Sequence, residues 1–304
     1  MRNKFADTLY EIGKVDDRIC AIVADISPAG SMEKFRNEFP DRFINCGVAE
    51  QAMIGIAAGL ALEGMRPFCY TIATFSIYRP FEMIRVDLCY QSLPVTVIGM
   101  GAGVIYSTLG STHHTIEDIA IASSLPNMQV LAPCDPLEMR DATSWCAKIS
   151  EKPTYMRLGK VGEPNFTDKA DEKFSFGRLR YINKGSDIAI ITYGTTIKIC
   201  SEIQDELKKK GFSCSLISCH TIKPLDVEGI KKMLNDHKKV LCIEEHVKHG
   251  GLGEKIKILS SELNIKKKID HYHLKDKFIH FYGSYEKLLS KHGIDKNIIL
   301  KNYE

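Results

Sequence analysis

Short apolar runs alternate with longer segments of helical periodicity along this chain. Each run is apolar at nearly every position, not at every second position, and is bounded by turn residues. Strands buried on both faces of a parallel sheet have this pattern, and the helices between them form the crossovers. The pattern therefore predicts an α/β fold. The predicted strands are residues 20–26, 66–72, 94–100, 129–133, 154–158, 187–194, 214–222 and 239–245.

The pattern stops and restarts once. Residues 161–177, VGEPNFTDKADEKFSFG, are polar and aperiodic, which is typical of a linker. The chain has 304 residues and is long for a single hydrophobic core. We therefore expect two three-layer domains, each built on a parallel sheet, at residues 1–160 and 178–304.

One predicted helix carries a single carboxylate at its start. In GVAEQAMIGIAAGLAL, residues 47–62, every position from Ala52 onward is apolar or glycine, so we expect this helix to be buried all round. Gly55 and Gly59 leave one face bare enough for a second backbone. A Glu in a first helical turn often only compensates the helix dipole. In its sequence context, however, Glu50 is the best candidate for a catalytic group.

Composition excludes several classes of protein. The net charge of +3 arises from 41 basic and 38 acidic residues, a balance that argues against a nucleic-acid surface. Ten cysteines form no C-x-x-C pair or zinc-type cluster, so we expect no metal site, free thiols and a cytoplasmic protein. The charged start MRNKFADTLYEIG argues against a signal peptide, and no apolar run is long enough to span a membrane.

Further motifs follow the Glu50 helix in a fixed order. They are ATFSIY (residues 73–78), LPVTVIGMGAGV (93–104), GSTHHTIED (110–118) and PNMQVLAPCD (126–135). Together they resemble the pyrimidine-binding domain of transketolases and of the related 1-deoxyxylulose-5-phosphate synthases. DIAIITYGT (187–195) and EEHVKHGGLGE (244–254) resemble the C-terminal domain of the same family. The resemblance covers nearly the whole chain and implies the folds of these two domains.

The resemblance also implies roles for individual residues. Glu50 would bond a ring nitrogen of the aminopyrimidine of thiamine diphosphate, and Phe75 would stack on that ring. Tyr78 is the second candidate for cofactor contact. His113 matches the family histidine that reaches the substrate's oxygen atoms, where an imidazole can donate a hydrogen bond or move a proton. The role of His114, which stands where the family usually has Gln, is left open.

Departures from the family pattern concern the substrate. Leu109 stands where an acidic residue is usual, and Gly101 stands where the synthases have an Arg on the strand end. Their second phosphate-binding Arg aligns with Lys160, our candidate for substrate contact. A lysine is a point charge and cannot bind phosphate in the bidentate way of an arginine. Whether the sugar substrates carry a phosphate is therefore left open.

The largest departure is a missing motif. The family holds Mg²⁺ and the diphosphate with G-D-G followed about 30 residues later by Asn, and this motif does not occur in the sequence. The resemblance then implies a separate N-terminal subunit that supplies Mg²⁺ and the diphosphate site. We predict the C-terminal half of a split transketolase that transfers a two-carbon ketol unit between sugars. Two copies of each subunit, with a homodimer contact of this chain, are expected.

Three other interpretations remain. The beta subunit of the first component of a 2-oxo-acid dehydrogenase has the same architecture and also lacks the diphosphate site, although GSTHH favours transketolase. Activity like that of a 1-deoxyxylulose-5-phosphate synthase is a second. A non-catalytic structural or regulatory relative is the third, since a fold alone never proves a function.

Overall fold

A computed structural model describes residues 1–26, 31–160 and 162–303. Val161, the first residue of the predicted linker, and Glu304, the last of the predicted second domain, lie outside these ranges. The strands are β1 Ile19–Val23, β2 Phe43–Asn45, β3 Arg66–Ile72, β4 Thr96–Met100, β5 Gln129–Leu131, β6 Thr154–Leu158, β7 Arg180–Asn183, β8 Ile188–Thr192, β9 Cys214–Ser218, β10 Thr221–Lys223, β11 Lys239–Val247 and β12 Lys268–Leu274.

Helices connect most of these strands. They are α1 Arg2–Gly13, α2 Glu33–Glu38, α3 Glu50–Leu62, α4 Ala73–Ile77, α5 Phe81–Met83, α6 Asp118–Ser124, α7 Pro136–Lys148, α8 Ile197–Lys209, α9 Val227–Asp236, α10 Leu252–Glu262, α11 Tyr285–His292 and α12 Lys296–Lys301. Short 3₁₀ turns lie at Pro40–Arg42 and Gly194–Thr196, and Ile84–Tyr90 is π-helical.

Two sheets form the centres of the two layered units, which confirms the predicted α/β class. The first has the order β10-β5-β6-β4-β3-β1-β2, and its strands are parallel except for β10. The second has the order β12-β11-β8-β9-β7, with β7 antiparallel to β9. Five of the strands, β1, β4, β6, β8 and β9, are buried along their whole length, as expected for strands covered on both faces.

The predicted single strand over residues 214–222 is wrong. It is two strands, because Cys219 and His220 leave the second sheet and β10 pairs antiparallel with β5 of the first. The backbone N–H of Ala132 donates to the carbonyl of His220 at 2.8 Å, which fixes this crossing. The sequence also missed β2, β7 and β12, since each is short or carries polar residues at a sheet edge.

The predicted linker packs closely on the first sheet's helices. Phe176 stacks on Trp145 with ring centroids 3.7 Å apart, and the Asp135 carboxylate accepts the N–H groups of Phe166 and Thr167 at 2.8 and 2.7 Å. The segment is irregular, as predicted, but it is held by side-chain contacts. The limits of the two domains stay a prediction.

The expected all-round burial of α3 is wrong for the single chain. Met53, Ile54 and Ala57 are buried against the sheet, whereas Leu62 is 62% exposed. Apart from the chain neighbours and the backbone of the same helix, no atom of the described residues would lie within 4 Å of a Cβ built on Gly55 or Gly59. The helix therefore has one bare face of small and apolar residues. Among the residues described here, no helix is both long enough and apolar enough to cross a membrane.

Candidate functional site

The candidate residues follow the carboxyl ends of four parallel strands. Glu50 comes after β2, Phe75 after β3, His113 after β4 and Lys160 after β6. Ligand sites of open α/β sheets lie at this edge, because the loops that leave the strands converge there. The topology alone thus brings four sequence-distant segments together.

Glu50 is the first residue of α3, and a tight turn aims it into the fold. Gly47 has φ +70°, and its N–H donates to the side-chain oxygen of Asn45 at 3.0 Å. The Glu50 residue is 3% exposed. Its two carboxylate oxygens accept hydrogen bonds from Nη1 of Arg79 at 3.2 and 3.0 Å. A buried carboxylate is therefore paired with a partly exposed cation.

Phe75 lies beside this pair in the short helix α4. The guanidinium carbon of Arg79 is 4.5 Å from the centroid of the Phe75 ring, a cation–π distance. Phe75 and Arg79 are four residues apart, the spacing that brings side chains of one helical segment together. Phe75 is only half-buried, and the planar group over its ring is the partly exposed guanidinium of Arg79.

His113 faces Phe75 from the loop after β4. We call residues 103–115 the His113 loop. The ring of His113 meets that of Phe75 edge-on, with centroids 5.4 Å apart and an interplanar angle of 77°. Its Nδ1 lies 2.9 Å from the hydroxyl of Thr112, which leaves Nε2 for an external partner. The imidazole is half-buried.

Tyr106 continues the row on the far side of His113. Its ring centroid is 6.1 Å from that of His113, and Nζ of Lys160 lies 5.1 Å from its centroid. Gly101 has φ +69°, and a Cβ built on it would collide with the Tyr106 ring. Tyr106 therefore fills the space beside the position where the synthases carry an arginine.

The hydroxyl of Tyr78 and the imidazole of His114 are both buried. The Tyr78 hydroxyl is buried without a hydrogen-bond partner among the described residues, and its burial beside the Asp118 carboxylate raises the pKa of Tyr78. Nε2 of His114 lies 3.2 Å from the carbonyl of Tyr106, and burial lowers the pKa of His114, so the neutral ring donates this bond. His114 therefore stabilises the loop through its hydrogen bond to the Tyr106 carbonyl.

Six side chains thus form one continuous row from the buried carboxylate to an exposed ammonium group. In order, they are Glu50, Arg79, Phe75, His113, Tyr106 and Lys160. The sequence predicted four of them and missed Arg79 and Tyr106. The spacing of Arg79 from Phe75, and the loss of a side chain at Gly101, were the signals that could have found them.

One group of residues has the donor atoms of a metal site. Cys242, Glu244 and His271 lie in β11 and β12, away from this row. The Glu244 carboxylate already accepts bonds from the N–H groups of Leu252 and Gly253 and lies 2.6 Å from Nε2 of His271. Burial alone would raise the pKa of Glu244, but the hydrogen bond from His271, with His246 nearby and the N–H of Gly253, lowers it. Protein donors therefore fill this carboxylate's coordination.

Comparisons with known proteins agree on one family. Residues 1–183 match the family model "Transketolase, pyrimidine binding domain", and residues 177–299 match "Transketolase, C-terminal domain". A subunit of the apulose-4-phosphate transketolase of Phocaeicola vulgatus is 32% identical over 300 residues, covering 99% of this chain and 95% of the relative. The chain is also 32% identical to 1-deoxy-D-xylulose-5-phosphate synthase of Clostridium perfringens, over 96% of its own length and 46% of that enzyme's.

A solved structure agrees with the sequence relatives. It is described as "Split gene transketolase, inactive beta4 tetramer", and its identity to this chain is 32%. The match covers 99% of this chain and 95% of that chain, with a TM-score of 0.87.

Proposed function

Because the chain belongs to the transketolase family, we propose that it is the C-terminal subunit of a thiamine-diphosphate-dependent transketolase that moves a two-carbon ketol unit between sugars. The observation that carries the proposal is the juxtaposition of Glu50, Phe75 and His113 at one sheet edge. A buried acid, an aromatic face and a half-buried imidazole are the groups that a flat, basic heterocycle and a sugar would need there.

Glu50 and Phe75 together suit the pyrimidine end of the cofactor. The Arg79 guanidinium is a planar, nitrogen-rich group that hydrogen-bonds Glu50 and lies over Phe75. An aminopyrimidine ring is likewise planar, and once a ring nitrogen takes up or shares a proton it presents an N–H toward Glu50, so the two residues suit it. When bound, thiamine diphosphate would supply the carbon nucleophile for ketol transfer.

Each residue has a distinct task in this proposal. Glu50 holds or shares a proton with the bound heterocycle, and its low-dielectric surroundings strengthen that hydrogen bond. Phe75 orients the ring by stacking. Nε2 of His113 donates to, or takes a proton from, a substrate oxygen. Tyr78 is proposed as a core-packing residue and not as a cofactor contact, since it packs on the hydrophobic core and its hydroxyl is buried.

Lys160 is the proposed contact for an anionic end of the substrate. It is exposed, and it stands at the outer end of the row, beside Tyr106. A single ammonium group binds a phosphate as a point charge, so a phosphorylated sugar would be held less rigidly than by paired arginines. The relative from Phocaeicola vulgatus is named for a phosphorylated sugar, which supports testing such substrates first.

A partner subunit is part of the proposal. The sequence has no G-D-G motif for a Mg²⁺–diphosphate site, so a second chain would supply that site and hold Mg²⁺. The bare face of α3, with Gly55 and Gly59, is proposed to pack on a second copy of this chain in an assembly of two and two. We further propose a cytoplasmic location, because none of the ten cysteines, all within the described ranges, forms a disulfide.

Reconstitution tests the proposal. The purified chain, given thiamine diphosphate and Mg²⁺ alone, should show no ketol transfer across a panel of free and phosphorylated sugars. Adding a transketolase N-terminal subunit should produce it. Turnover by the chain alone would contradict the proposal, and so would an active pair that decarboxylates 2-oxo acids without transferring ketol units.

A further inference from the structure

The His113 loop is closed at its base by a pair of backbone hydrogen bonds. The N–H of Gly103 donates to the carbonyl of Thr115 at 2.9 Å, and the N–H of Thr115 donates to the carbonyl of Gly103 at 2.8 Å. Between these residues the chain makes turns and no helix. The direction in which His113 points therefore depends on how this base is held.

A carboxylate from the other sheet reaches that base. Glu245 lies in β11 and is 2% exposed. Its Oε1 accepts the N–H of Val104 at 2.6 Å, and its Oε2 accepts the hydroxyl groups of Thr195 and Tyr285 at 3.0 and 2.9 Å. One oxygen thus holds the loop, and the other holds the second unit's own elements.

The loop backbone sits directly against this carboxylate. Gly103 has φ +75°, and a Cβ built on it would collide with the carboxyl group of Glu245. Any side chain there would lift the loop from its anchor, quite apart from the strain of the left-handed conformation. The glycine and the glutamate therefore form one fitted contact.

The same strand holds the other end of the loop. The N–H of Val247, two residues beyond Glu245, donates to the carbonyl of Ile116 at 2.9 Å. Nη2 of Arg157, from β6, donates to the carbonyl of Glu245 at 2.9 Å and so joins the strand to the first sheet. The end of β11 is thus bonded on both sides of the segment that carries His113.

Burying the charged carboxylate of Glu245 costs free energy. Burial raises the pKa of Glu245, although the nearby Arg157 guanidinium and the bonds from Val104, Tyr285 and Thr195 act in the opposite direction. A charged acceptor makes a shorter and stronger bond to a backbone N–H than a neutral one does. A fixed position of the His113 loop is a functional advantage that would offset the free-energy cost of burying this charge.

We propose that Glu245 is a positioning residue for the His113 loop: its bond to Val104 sets the loop so that the imidazole of His113 faces Phe75. The role assigned to His113 rests on the proposed function, whereas the loop anchor itself does not. The C-terminal unit would then contribute to the reaction without touching substrate or cofactor.

The neighbouring residue provides a matched control. Glu244 is also a buried carboxylate in β11, but it accepts the N–H groups of Leu252 and Gly253 at the start of α10 and makes no hydrogen bond to the His113 loop in the structure described. Loss of Glu244 should disturb α10. Loss of Glu245 should disturb the loop.

Backbone amide hydrogen exchange tests the anchor in the purified full chain. In Glu245→Ala, peptides covering residues 103–115 should exchange at least about tenfold faster. Glu244→Ala should change the peptides around residue 252 and leave the loop unaltered. Gly103→Ala disturbs the contact from the loop side, and it decides the matter if Glu245→Ala does not fold. Glu245→Gln, which keeps an acceptor oxygen, should restore much of the protection. Unchanged loop exchange in the folded variants would overturn the proposal.

Kinetics in the reconstituted complex test the consequence for His113. Glu245→Ala should lower kcat/KM for ketol transfer about tenfold or more, while exchange of the thiazolium proton of the bound cofactor stays within about twofold of wild type. The double variant with His113→Ala should be no slower than His113→Ala alone, because both changes remove one function. Additive losses would overturn the positioning role. If the wild-type complex transfers no ketol unit, the proposed function fails, and the amide exchange still decides whether Glu245 anchors the loop.

Discussion

Arg79 and Glu50 form an ion pair in which one partner is buried and the other is not. Their atoms approach to 3.0 Å, with side-chain exposures of 46% for Arg79 and 3% for Glu50. The guanidinium also lies over the Phe75 ring. The guanidinium therefore makes, with Glu50 and Phe75, the same contacts that we assign to the cofactor's pyrimidine. The guanidinium and the pyrimidine must compete for this position.

Replacing Arg79 should strengthen cofactor binding. In Arg79→Gln the competing cation is gone, and an ion pair with one exposed partner contributes modestly, so we expect the dissociation constant to fall by about threefold to tenfold. Calorimetric titration of the two-subunit complex with thiamine diphosphate measures it. Arg85→Gln, an exposed arginine on the following segment, is the control and should bind like wild type. Weaker binding by Arg79→Gln would mean that the guanidinium stays in place and supports the cofactor.

Replacing Glu50 should stop the chemistry and leave the fold intact. Glu50→Gln keeps the size and a hydrogen-bonding head but removes the acidic proton, so turnover should fall on the order of a hundredfold or more. Excess cofactor should not restore it. Exchange of the thiazolium proton reports the affected step, and wild-type exchange in this variant would show that Glu50 is not the activating group. Glu63→Gln, just past the exposed end of the same helix, is the control.

The bare face of α3 predicts a self-association surface. Gly59→Glu places a charge on the bare face, where a Cβ meets nothing within 4 Å beyond its chain neighbours and its own helix backbone, so the fold should persist while packing on a second copy is blocked. Sedimentation should then show a smaller species than wild type. Ile258→Glu adds the same charge at a half-exposed apolar position of α10 and should leave the mass unchanged. An unaltered assembly in Gly59→Glu would place the interface elsewhere.

Buried histidines predict a loss of stability in acid. Burial, with Lys275 and Lys277 nearby, lowers the pKa of His292 from 6.5 to about 4. Its contribution to the free energy of unfolding should be complete above about pH 6.5 and should decline as the pH falls toward 4, because the unfolded chain binds the proton more tightly.

Urea unfolding between pH 7 and pH 4.5 measures this difference. The free energy of unfolding of His292→Gln should fall less steeply with acidification than that of wild type. His280→Gln, at an exposed position, should follow wild type. Parallel curves for wild type and His292→Gln would show that this histidine does not contribute.

The sequence predicted the layered fold because fully buried strands such as β4 and β8 are apolar at every position but one, a threonine in each. It did not predict that β10 leaves its neighbours for the other sheet, since Thr221–Lys223 is too short to show a pattern and its partner β5 lies about 90 residues away. Edge strands such as β12 were missed because KIDHYHL mixes charged and apolar positions.

The site was predictable where a residue type and a motif coincide. Glu50, Phe75 and His113 stand in ordered motifs, and the structure brings them together at one sheet edge. Arg79 and Glu245 depend on tertiary contacts. Glu245 lies 141 positions from Val104, and no local pattern links a strand carboxylate to a backbone N–H at that distance.

The crossing of β10 has a consequence for how the protein can be divided. Without β10, strand β5 would be an unpaired edge of the first sheet. Unpaired strand edges pair with other chains. A fragment that ends near residue 160 would therefore lack part of its own sheet and tend to aggregate. The two units are consequently interdependent in folding.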